Sequence, residues 1–185
     1  MNKKYKKYFA VDFAISFISV FGVVMFLAML PKLQSVFHIN VSEVSWIPNL
    51  GYITMILFAF LAGKFINGKK LKNLLLFSLI TWVLGIFIEI ISLNIDIYAV
   101  FIFGRFIEGI GEAVIFPILL SMNKIVFEDI KSQKIGSSLV ELGGAVGGMV
   151  SAFISGKFID MPNKFLLIPI AIAFLDMIFI LVSVD

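Results

Sequence analysis

Three ionisable residues stand close together in an otherwise apolar stretch of the chain: Arg105, Glu108 and Glu112. Their spacing of i, i+3 and i+7 puts all three on one helix face within about two turns. Charges inside a bilayer cost about 2.5–3.5 kcal/mol each on insertion scales, and they face a cavity or a partner. Summed naively, the three would cost their helix on the order of 8–10 kcal/mol. One guanidinium neutralises one carboxylate, which leaves the second beside the first in a medium that disfavours both charges. One fixed cation with two competing carboxylates is the composition of a proton-binding element. The alternative is a buried structural ion-pair cluster with neighbouring helices and no part in transport.

Other chemistries lack their residues. There is no cysteine, so disulfides, thiolate metal sites and Cys nucleophiles are excluded. His38 is the single histidine, too few for a His-based metal cluster or a Ser-His-Asp triad, and it falls in a loop as a solvated side chain. No G-x-x-x-x-G-K-[ST] run occurs, so ATP is not expected to drive anything. Asp176 has no second mid-membrane Asp with which to form a catalytic pair. No catalytic residue, cofactor or metal is therefore expected, and the chain does not read as an enzyme.

The elements that position the charged stripe are transmembrane helices. Of the 185 residues, 61% are hydrophobic and 15% charged, and the mean hydropathy is +1.07. A soluble domain carries about half apolar and about a quarter charged residues. A bilayer core needs roughly 20 apolar residues of helix. The pattern predicts six spans, at 9–30, 45–66, 73–93, 97–122, 135–156 and 164–184. Pro31 is read as closing the first, Asn67-Gly68 the second and Asn94 the third. The first span follows Lys3, Lys4, Lys6 and Lys7 as a signal peptide would, but it is too long and lacks a small-x-small cleavage site, so it is read as a retained helix.

The net charge of +3 is distributed as topology requires, with no basic patch for nucleic acid. One side holds Lys3, Lys4, Lys6, Lys7, Lys64, Lys69, Lys70, Lys72, Lys124, Lys131 and Lys134, against Lys32, Lys157 and Lys164 on the other. Both termini are therefore expected in the cytoplasm and the chain in the cell membrane as a multi-pass protein. Glu89, Glu141 and Asp176 also fall within spans. Glu89 and Asp176 stand alone in their helices, and Asp12 is read as solvated near the inner interface. In the fifth span Gly143, Gly144, Gly147 and Gly148 form overlapping small-xxx-small pairs, which let two backbones approach closely. This face serves either a helix that slides against its neighbour or static packing.

Several segments together resemble the major facilitator superfamily, and within it the drug:proton antiporter branch. Arg105-Phe106-Ile107-Glu108-Gly109-Ile110-Gly111 with Pro117 is similar to the family's R-x-x-Q-G-x-G…P motif, with Glu108 in place of Gln. Gly143-Gly144-Ala145-Val146-Gly147-Gly148 is similar to the antiporter motif G-P-x-x-G-G, with Gly144 in place of Pro. Leu30-Pro31, Trp46 and Phe165-x-x-x-Pro169 also look like the family's pattern. Gly63, Asn67, Lys69 and Lys70 lie where the family has its cytoplasmic gating loop, with Asn67 for the Asp and Lys70 for the second Gly. An Asp found in some drug exporters about ten residues before the Leu-Pro is absent; Phe21 occupies that neighbourhood.

The resemblance implies an all-α membrane protein, one six-helix bundle forming half of the major facilitator fold as two inverted three-helix repeats. It implies that the Arg105 position serves proton coupling, that the first and fourth helices line the cavity and that the fifth contacts the other half. The expected function is secondary transport of an unknown small-molecule substrate, with protons as the coupling ion, by a homodimer or with a separate carboxyl-terminal half. In that reading the charged face needs the second bundle to cover it. The competing expectation is a non-transporting membrane interaction subunit, or the remnant of a truncated transporter gene.

Overall fold

The computed structural model describes residues 3–62, 66 and 71–184. Gly63, Asn67, Lys69 and Lys70, the expected gating loop, lie outside the described residues. The described chain is all-α: α1 (Lys3–Phe37), α2 (Val41–Ala62), α3 (Leu71–Ile95), α4 (Tyr98–Ala113), α5 (Ile115–Val126), α6 (Ile130–Ser155) and α7 (Pro162–Ser183). Five of these are long and apolar enough to cross a membrane. At 16 and 12 residues, α4 and α5 each fall short of a bilayer core of about 30 Å, and together they make the remaining span.

The break between α4 and α5 has a covalent cause. Pro117 has no N–H to offer the carbonyl of Ala113, and its ring crowds that carbonyl. α4 ends there, Val114 sits at φ −103°, ψ −10°, and the ladder resumes with Ile118 N donating to Val114 O at 3.0 Å. Pro31 behaves differently. It was expected to end the first span, yet α1 runs through it to Phe37. A single missing N–H is tolerated in a packed membrane helix, whose neighbours and local adjustments satisfy the freed carbonyl. α6 likewise begins earlier than the expected span, at Ile130, because the Asp129 carboxylate caps it by accepting from Ser132 N at 2.7 Å. That bond holds the Asp129 carboxyl below its ordinary range.

Tight connections fix the neighbours. His38 and Asp96 take positive φ, 52° and 53°, in the left-handed conformation that turns a chain just past a helix end. Asn40 and Glu43 then form a reciprocal capping box at the start of α2.

Two parallel helix pairs organise the bundle. α6 lies along α1 in a constant register: Gly143 against Phe13 and Ser16, Gly147 against Phe17, and the Ser151 hydroxyl donating to Phe21 O at 2.7 Å. α4 runs along α2 in the same sense, with the Tyr98 hydroxyl donating to Glu43 O and Gly109 against Gly51 O and Thr54. Each pair joins one three-helix unit to the other, as two inverted repeats packed on each other require. α3 packs antiparallel on α4, where Gly85 meets the backbone of Glu108 and Gly111 meets Ser78 and Trp82. α7 closes the bundle against α1 and α3, and Lys72 donates to Leu181 O in the last turn of α7 and to Val184 O just past its end.

Gly143 and Gly147 of α6 thus pack inside this bundle, on α1, while Gly144 and Gly148 border an open groove. A Cβ at Gly143 or Gly147 would overlap the carbonyls of Phe13 and Phe17. One at Gly148 would meet only the valine side chains of Val20 and Val24, at 3.3 and 3.5 Å. Gly147→Val should therefore lower stability by about 1–3 kcal/mol, the cost of overpacking. Gly148→Ala should have a much smaller effect. Thermal unfolding of the purified protein in detergent distinguishes the two, and equal losses would refute this assignment of the close contact.

Candidate functional site

Arg105 lies at the meeting of four helices and is 2% exposed. Its Nε donates to Ile47 O of α2 at 3.1 Å, its guanidinium carbon stands 4.1 Å from the centre of the Phe26 ring of α1, and Nη1 bonds Glu108 Oε2 one turn along α4. Nη1 also lies 3.8 Å from Glu89 Oε1 of α3. Glycines make this convergence possible. Gly51 leaves the space that Nη2 fills, and Gly104 leaves room for the Glu89 side chain, whose Cγ would lie 2.7 Å from a Cβ at that position.

Glu112, one turn beyond Glu108, is 3% exposed and accepts from the Ser19 hydroxyl of α1 at 3.2 Å. It also lines a groove of about 380 Å³ at the α4–α5 break, walled by α1, α2 and α5 through Val20, Tyr52, Met55, Phe116 and Pro117. A second, more open groove of about 560 Å³ runs on the far side of Val20 and Phe116, between α1, α5 and α6, where Glu141 is exposed beside Gly144 and Gly148. One face of the bundle therefore carries two apolar grooves, each with a carboxylate at its edge.

Arg105, Glu108 and Glu112 do share a face, but that face is covered by α1, α2 and α3 of the same bundle. The expectation that they would be bare without a second bundle is corrected: Glu108 is fully buried and Arg105 and Glu112 nearly so. Glu89 is the only acid of α3, and the antiparallel α3–α4 register brings it to Arg105 of α4. A readable signal existed: Glu89 lies four residues from Gly85, on the helix face that packs against α4. Asp12 is not solvated. It is fully buried, directed at Asn123 of α5 beside Gly136 of α6. Asp12, Ser16 and Ser19 at i, i+4 and i+7 mark the polar stripe of α1 that sequence reading passed over. Asp176 is buried on α7, with Oδ2 lacking a hydrogen-bond partner among the described residues.

The arrangement holds one guanidinium against three carboxylates in a site closed to bulk water, with Glu112 as the member at a groove. Arg105→Ala should destabilise the protein by about 3–5 kcal/mol, since it leaves buried carboxylates without their cation. The deficit should shrink as pH falls, because protonation removes the uncompensated charge, and adding Glu108→Gln should recover part of it. Thermal unfolding across pH measures both; a pH-independent deficit would contradict the charge argument.

The family model of the Major Facilitator Superfamily matches residues 13–184, nearly the whole sequence, and the chain belongs to that superfamily of multi-pass membrane transporters.

Proposed function

We propose that this chain carries out proton-coupled export of small molecules, with Glu112 as the carboxylate that exchanges protons with the groove and Arg105 and Glu108 as the charge pair that responds. The observation that carries this reading is the position of Glu112, joined to α1 through Ser19 and exposed to the groove where the α4 ladder is interrupted. When Glu112 is ionised, the Ser19 bond ties α4 to α1. When it is protonated, the tie weakens and the two helices can separate at the break. A substrate in the groove and a proton on Glu112 then oppose each other, which is the exchange an antiporter needs.

The grooved face of α1, α2, α5 and α6 is where a second six-helix unit would stand, either another copy or a separate carboxyl-terminal half. Glu141, exposed in mid-span on that face, supports this placement, because a carboxylate at such depth is costly against lipid. The Lys-rich ends of α1 and α6 lie together in the parallel register, which supports a cytoplasmic position for both termini in the cell membrane. A non-transporting interaction subunit is favoured by one observation, that the charged cluster is covered within a single bundle. A stable monomer by detergent-corrected mass would support that reading and count against the homodimer.

In proteoliposomes with an internal pH-sensitive dye and an imposed pH gradient, exported members of a panel of apolar small molecules should drive proton movement. Glu112→Gln should abolish that movement, and the combined Glu108→Gln, Glu112→Gln and Arg105→Ala variant should show none. Transport unaffected by the combined variant would end the proton-coupling proposal.

A further inference from the structure

Glu89 is fully buried on α3, and among the described residues neither of its carboxylate oxygens has a hydrogen-bond partner. Its neighbour Glu108 is half satisfied: Oε2 holds Arg105 Nη1, while Oε1 has none. The rest of the guanidinium is fixed, with Nε on Ile47 O and its face on Phe26. Nη1 is the donor that can serve either acid, bonded to Glu108 and 3.8 Å from Glu89. From α4, Arg105 and Glu108 face Glu89. Among the described residues, α7 also packs on α3, and none of its charged side chains acts on Glu89.

The cluster around Arg105 therefore contains one permanent cation and three carboxylates, with Asp12 and Asp176 buried elsewhere in the bundle. Uncompensated buried charge is strongly unfavourable, so neutrality requires two protons on the three acids. With Glu108 held as the ion-pair partner, those protons fall on Glu112, at the groove, and on Glu89, across the α3–α4 interface. We propose that Glu89 is a second proton-binding carboxylate of the site, exchanging a proton with Glu108 while Arg105 Nη1 passes from one acid to the other. This rests on the proton-coupling reading and deepens it. The step balances without any co-reactant. The proton leaves a Glu89 oxygen and bonds Glu108 Oε1, the negative charge appears on Glu89, and the Nη1 hydrogen bond turns from Glu108 Oε2 to Glu89 Oε1. The net charge of the cluster stays the same. A proton admitted at Glu112 can then be stored one helix deeper.

Infrared spectroscopy of the full chain with carboxyl-13C glutamate, titrated in pH, reads protonated glutamic acids directly and separates them from Asp12 and Asp176. The wild type should show two buried glutamic acid bands at neutral pH. Glu112→Gln should remove one and Glu89→Gln the other. Glu108→Gln should also remove the Glu89 band, because Arg105 then needs Glu89 as its anion, an effect that a merely structural Glu89 would not produce. Two unchanged bands in Glu89→Gln would overturn the inference while leaving the Glu112 reading intact. No glutamic acid band in the wild type would sink both. Should Glu89→Gln fail to fold, a folded Glu108→Gln protein that keeps two bands, or a wild type with one, overturns the inference.

Discussion

A guanidinium cannot be left bare in a hydrocarbon medium, and the interior of this bundle is built around that fact. Arg105 draws on α1 through an aromatic face, α2 through a carbonyl, α3 through Glu89 and α4 through Glu108. Four helices must therefore hold their depth and rotation relative to one side chain. A water-soluble core could satisfy the same group with solvent at little cost; here each contact is made by protein. The result is a cluster in which altering the protonation of one acid changes the demand placed on the others.

Close approach is the geometric condition for that cluster. α4 enters between α2 and α3 with Gly109 turned to one and Gly111 to the other; Gly85 admits the Glu108 backbone, while Gly51 and Gly104 clear the paths of the Arg105 and Glu89 side chains. Without a hydrophobic force between helices in lipid, such contacts depend on dispersion and weak polar contacts along smooth faces. The motif that begins at Arg105 thus combines two requirements in seven residues, a charge to be shared and the small residues that let its partners reach it. Pro117 adds the third element, an interrupted ladder beside Glu112, which places the opening next to the acid.

The charged stripe of α4 was legible because i, i+3, i+7 spacing is a local property of one helix. The glycine face of α6 was legible for the same reason, although not its partner: Gly143 and Gly147 announce a close contact without saying which carbonyls fill it. Glu89 and Asp12 depended on registers between helices far apart in sequence, and a single-helix periodicity carries no such information. Pro31 could not mark the end of α1 from sequence alone, because in a packed membrane helix the carbonyl it frees is satisfied by groups that lie far away in the chain. The gating-loop residues Gly63, Asn67, Lys69 and Lys70 rest on sequence alone.

The register between α1 and α6 also sets a timetable for biogenesis. Residues that touch, such as Phe21 and Ser151, are separated by 130 positions. At about 5–20 residues per second of synthesis, the first helix waits on the order of ten seconds in the bilayer before the helix that seats on it exists. α1 suits that wait, with a mean hydropathy of 2.5 over its most apolar window, whereas α6, at 1.4, is the least apolar of the five long spans. The helix that arrives early can live alone in lipid. The one that arrives late, smooth and weakly apolar, enters a membrane in which its docking surface is already waiting.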